Sequence, residues 1–129
     1  DIVMQKKFLE VLAYTGTSDY SSTIATILKK TNDTAIIQQA LDTIASIGYD
    51  PEGKMIDAIE HILPTNKTKV NETIIILSAD AVYEICRFMG RPAFYAKGKD
   101  ILVRMLSYRN IIVWEYTIQI LEKIIKLQM

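Results

Sequence analysis

The sequence predicts an all-α protein: a right-handed α–α superhelix of about three antiparallel helix pairs, preceded by one N-terminal helix. Three observations carry this expectation. Apolar residues recur every three to four positions nearly throughout. No segment alternates with period two, and no Asn-Gly or Asp-Gly hairpin signal occurs. The breaks between apolar stripes are short, which makes consecutive helices antiparallel neighbours.

The first helical stretch runs from Ile2 to Tyr14, and Tyr20, Ile24, Ile27 and Leu28 mark a second. Ile37, Ala40, Leu41, Ile44 and Ile47 form the third stripe, and Ile56, Ile59, Ile62 and Leu63 the fourth. A longer fifth carries Ile74, Leu77, Ala81, Ile85 and Phe88. Ile101, Leu102, Met105 and Leu106 give the sixth, and Trp114, Ile118, Leu121 and Ile125 the seventh. Gly16, Gly48 and Gly90 follow helical runs, where a residue tolerating positive φ ends a helix. Ser18, Thr31 or Asn32, Asp50, Thr68 and Asn110 stand where a side-chain oxygen can cap a helix start. Pro51 and Pro92 suit first turns, and Pro64 closes the fourth helix.

The glycines also expose a repeat of a short helix followed by a long one, with spacings of 32 (Gly16 to Gly48) and 42 residues (Gly48 to Gly90). The segment Asn32-Asp33-Thr34-Ala35-Ile36-Ile37-Gln38-Gln39-Ala40-Leu41, closing on Ile44-Ala45-Ser46-Ile47-Gly48, resembles the second helix of a HEAT repeat. The run from Asn71 to Gly90 begins and ends alike, and Tyr20 to the C-terminus can be read in this way. The arginine that many HEAT repeats carry in the second helix is missing. The resemblance to HEAT-repeat, armadillo-type solenoids implies a non-enzymatic protein-binding scaffold or adaptor whose second helices line the concave side.

Composition sets the remaining limits. The chain has 129 residues, half of them hydrophobic, with zero formal net charge, which fits one globular domain rather than a dedicated nucleic-acid binder. A single cysteine, Cys86, excludes an internal disulfide and reads as a buried residue; beside one histidine it gives no zinc cluster. No apolar run suggests a membrane span, so no membrane partner is expected. No secretory signal follows Asp1, and the expected compartment is the cytoplasm. The missing initiator Met points to a processed product or a fragment of a longer chain.

Motifs of chemistry are sparse, and no catalytic residue, metal ligand or cofactor is expected. Asp57, Glu60 and His61 share one helical face and read as a solvated polar face. Three Asn-x-Thr triplets, at Asn32, Asn66 and Asn71, fall at expected helix starts and read as caps rather than glycosylation sites. Lys97-Gly98-Lys99 lacks the spacing of a phosphate-binding loop; Gly98 instead weakens the sixth helix or admits a close neighbour.

Two surfaces stand out as binding candidates. Arg87, Arg91, Lys97, Lys99, Arg104 and Arg109 crowd one segment, interleaved with Phe88, Phe94, Tyr95 and Tyr108, while Asp42, Asp50, Glu52, Asp57 and Glu60 make the middle acidic. The candidate partner-binding set is Arg87, Arg91, Tyr95, Lys97, Lys99 and Arg104, beside an exposed Tyr95 or Tyr108. The segment 87–109 also carries a rival reading, a nucleic-acid-binding or processing module. A third reading is a regulatory or dimerisation domain of a larger enzyme. The other surface is the last helix, Asn110 to Gln128, apolar except for a stripe of Glu115, Gln119, Glu122 and Lys126. Ile112, Tyr116 and Ile120 are its candidate association residues, serving a symmetric homodimer or, as the alternative, a further repeat of a longer chain.

Overall fold

The computed structural model describes residues 1–15 and 20–129. Seven helices form among them, with no strand: α1 (Ile2–Thr15), α2 (Ser21–Lys30), α3 (Thr34–Ile47), α4 (Lys54–Ile62), α5 (Glu72–Met89), α6 (Pro92–Met105) and α7 (Ile111–Leu127). Gly16 and Ser18, expected to end the first helix and cap the second, lie outside the described residues.

The helices sort into two layers. One is α1, α3, α5 and α7, each packed against the next; the other is α2, α4 and α6 in the same order. Neighbours within the first layer run the same way. The C-terminal ends of α3 and α5 meet at Gly48 and Phe88, and the N-terminal ends of α5 and α7 meet where Asn110 donates to Glu72. This arrangement is compatible with an α–α superhelix.

Local sequence explains most boundaries. Asn71 and Asn110 accept hydrogen bonds from the backbone N–H of Ile74 and Val113, capping α5 and α7. Gly48 and Gly90 end α3 and α5 with φ of 67° and 60°, a region costly to side-chain-bearing residues. Three expectations shift. Asp33, not Asn32 or Thr31, caps α3 through Ile36 N–H. Asn66 and Thr68 bond each other inside the 63–71 link and start no helix. Pro51 lies in the turn before α4, outside its first turn, whereas Pro92 does open α6.

The start of α4 is built differently again. Its N-cap position is Gly53, and the capping oxygens come from Asp50, which accepts from Met55 and Ile56 N–H at 2.9 Å each. Burial pushes the Asp50 carboxyl above the usual range, and those two hydrogen bonds pull it part of the way back.

The core lies between the layers and is centred on α5. Gly98 faces it, and a Cβ there would stand 2.6 Å from Cys86 Sγ and 3.1 Å from Val82 Cγ1. The glycine therefore seats α6 close upon α5. Cys86 is buried, its thiol donating to Phe94 O and pushed up to about 11 by desolvation. Tyr108, expected at the surface, is buried: its hydroxyl donates to Pro64 O and its neighbour Arg109 N–H donates to Lys67 O. Those two bonds pin the 63–71 link to the corner between α6 and α7.

Candidate functional site

Helical geometry divides the basic segment before any partner is considered. Lys97 and Lys99 are separated by about 200° around α6, whereas Lys97 and Arg104 differ by only about 20°. Lys97 and Arg104 accordingly face α4. Lys97 Nζ lies 2.7 Å from Glu60 and 3.5 Å from Asp57, and an Arg104 N–H reaches Leu63 O. The Glu60 carboxylate holds the Lys97 ammonium above the usual lysine range. Arg91 and Lys97 also line a groove of about 410 Å³ whose other wall includes Glu52, Asp57 and Ile56.

The remaining basic candidates are elsewhere. Arg87 sits on α5 and pairs with Glu84 on its own helix. Lys99 lies on the other flank of α6 with half-buried Tyr95, four residues earlier, and makes no ion pair with a described residue. The structure thus brings Arg91, Lys97 and Arg104 to the α4 side and sets Arg87, Tyr95 and Lys99 apart from them. Charges separated along the sequence are neighbours in space, because α4 and α6 are successive members of one layer. Asp57 and Glu60 serve this contact, and His61 is exposed beside them. Among the described residues no group of three His, Cys, Asp or Glu side chains could hold a metal ion, and no helix is long and apolar enough to cross a membrane.

The last helix carries more apolar surface than it buries. Val113, Thr117, Ile120 and Ile124 form its buried stripe, turned toward α5 and α6. Ile111, Ile118 and Ile125 stand 63%, 47% and 51% exposed on another side, with Trp114 and half-buried Leu121 completing the row. These are residues 111, 114, 118, 121 and 125, the three-four spacing of an apolar seam along a helix. Exposed Glu115 and Glu122 run along one edge of it.

The sequence-derived association residues are therefore corrected. Ile120 is only 2% exposed and belongs to the core. Tyr116 is half-buried and donates to Asp80 on α5; desolvation, reinforced by that carboxylate, pushes its phenol up to about 12. Ile112 alone of the three is exposed. Choosing a line four residues apart tracked the flank turned to α5, whereas the open seam advances by three and four. The apolar stripe that marks the seventh helix in the sequence, Trp114, Ile118, Leu121 and Ile125, is the one turned outward. Polar Thr117 inside the buried stripe hid the true core line.

The seam has a hollow at its start, about 450 Å³ in volume, lined by Arg109, Asn110, Ile111 and Trp114. The indole N–H of Trp114 donates to Tyr108 O, which fixes one wall. At the opposite end of the same layer, α1 is exposed along Val3, Met4, Val11 and Tyr14. Comparison with family models, with curated proteins and with solved structures gives no match to this chain.

Proposed function

We propose that this chain is a non-enzymatic protein-binding module, a helical-repeat scaffold of the HEAT-like kind, and that it engages protein through the outer seam of α7. One observation carries the reading: Ile111, Trp114, Ile118 and Ile125 form a continuous exposed apolar row on a helix already anchored by a separate buried stripe. Fully burying such a side chain contributes about 1.5–3 kcal/mol, and with about half of each still exposed, covering the row contributes roughly half of that per residue toward association. Rows of this size on protein surfaces are characteristic of interaction sites.

The nucleic-acid reading has weaker support. Phosphate binding needs unpaired cations on one face, and Lys97 and Arg87 are engaged by Asp57, Glu60 and Glu84.

A photo-cross-linking amino acid at position 118 tests the proposal in the cells that make the protein. Covalent capture of a protein is expected, with loss of capture when Ile111 is also changed to Asp. Absence of any protein adduct, together with salt-sensitive binding of a labelled DNA duplex, would overturn it.

A further inference from the structure

The chain has four asparagines, and three of them, Asn32, Asn66 and Asn71, are followed two residues later by threonine. Seventeen of the 129 residues are Ser or Thr, so chance placement would give four asparagines fewer than one such triplet. Helix capping explains only Asn71, whose Oδ1 accepts from Ile74 N–H at the start of α5. Asp33 takes that part at α3, and Asn66 starts no helix. The fourth asparagine, Asn110, is followed by Ile112 and uses both ends of its amide, on Val113 and on Glu72.

At Asn66 the local geometry is that of a reactive amide. Its Oδ1 accepts from Thr68 N–H at 3.0 Å and from the Thr68 hydroxyl at 2.9 Å, an Asx turn. Two donors on one amide oxygen stabilise negative charge there, which is the form in which Nδ2 regains a lone pair and can attack. Nδ2 itself donates to no described residue, and Asn66, Lys67 and Thr68 are all exposed. The middle residue is Lys67, whereas Asp33 and Glu72 occupy that place in the other two triplets. A cation there attracts a phosphate-bearing reagent, and a carboxylate repels it. Tyr108 on Pro64 O and Arg109 on Lys67 O hold the link in place, so the amide is presented at a fixed corner of the folded protein.

We infer that Asn66 is the acceptor of an N-linked sugar. Its Nδ2 attacks C1 of a sugar activated as a diphosphate ester. The C1–O bond breaks, the diphosphate leaves, and the amide nitrogen gives one proton to the transferase that holds the donor. Whether the diphosphate is linked to a nucleotide or to a lipid, the chemistry at the acceptor is the same. The product keeps Oδ1 and one N–H, so the turn with Thr68 survives the modification. The inference is independent of the protein-binding reading, and either can fail alone.

Mass spectrometry of the protein isolated from the cells that make it provides the test. Trypsin releases residues 55–67 as one peptide, with Asn66 next to its end. A sugar-bearing form of this peptide is expected, with fragmentation placing the added mass on Asn66. A single hexose identifies a nucleotide-linked donor, and a larger oligosaccharide a lipid-linked one. Thr68→Ala is expected to abolish the modification and Thr68→Ser to retain it at a lower level, with far-UV circular dichroism confirming that both keep their helices. Peptide 55–67 found only bare, sugar on Asn32 or Asn71 while Asn66 is bare, or a glycan that survives Thr68→Ala would each overturn the inference. Sugar confined to the Lys67 or Lys69 amine would do the same, since that is the mark of a non-enzymatic reaction; on Lys67 it also blocks the cleavage that releases the peptide.

Discussion

Where α6 meets α4, opposite charges face each other across two helices; where α7 ends its layer, isoleucines face outward. Both regions lie on segments that the sequence marks for binding, and they resolve in opposite ways. Lys97 finds Asp57 and Glu60 because α4 and α6 are successive members of the second layer. Ile118 stays about half exposed because, among the described residues, α7 packs mainly on α5 and α6, which take other sides. A residue with a facing helix is absorbed into the fold, and one without remains available to a partner.

The sharpest way to break this comparison lies within α7 itself. Ile120→Ala, in the buried stripe, is expected to cost about 2–5 kcal/mol in urea unfolding, because truncation leaves a cavity. The same change at Ile118 should cost less than about 1 kcal/mol, because half of that side chain is already wet. Equal losses at the two positions would erase the distinction between the stripes.

The seat of α6 on α5 offers the next effect. Gly98→Ala gains roughly 1 kcal/mol of helix propensity. The new Cβ nevertheless meets Cys86 Sγ at 2.6 Å, and forcing the helices apart should leave a net destabilisation of about 1–3 kcal/mol. Adding Cys86→Ala should recover part of it in a double-mutant cycle. Additive losses would mean that the thiol is not the obstacle. On the charged flank, Lys97→Met should alter stability by no more than about 1 kcal/mol, since its carboxylate partners are solvent-accessible. A larger loss in thermal unfolding would make that flank a structural keystone.

The smallest effect is confined to alkaline solution. The Tyr116 phenol is raised from 10.0 to about 12, so its contribution is complete below the unfolded value and is lost as pH rises through about 12. Burial raises Tyr108 as well, so spectrophotometric titration should show late-ionising tyrosines, and one late step should disappear in Tyr116→Phe. Its persistence in that variant would assign the late step elsewhere.

Much of the fold was legible because helix-forming signals are local. The period of apolar residues located seven helices, and Gly48, Gly90, Asn71 and Asn110 marked their ends through chemistry acting over a few residues. Less legible was whatever depends on the neighbour a helix acquires. In α7 two apolar stripes have the same period, and only the positions of α5 and α6 decide which is buried. Tyr108 turning inward to Pro64 and Lys97 crossing to α4 both depend on how elements meet, whereas the Asp50 cap of α4 was legible and only its reach past Gly53 was not. For α1, the exposed row of Met4, Val11 and Tyr14 could have been recognised by its three-four spacing, but an apolar row on a first helix reads equally well as its core face.

The 63–71 link has a consequence for limited proteolysis. It is the polar stretch that makes the second repeat longer than the first, and Lys67 and Lys69 within it are natural trypsin targets. Yet Lys67 O is held by Arg109 N–H and Pro64 O by the Tyr108 hydroxyl, whereas Lys69 has no comparable tether among the described contacts. A protease must draw an extended segment into its cleft, so cutting should begin after Lys69 and spare the bond after Lys67. The nicked halves would stay together, since the interface between α3 and α5 crosses the cut, and the protein would behave as a two-piece complement of itself.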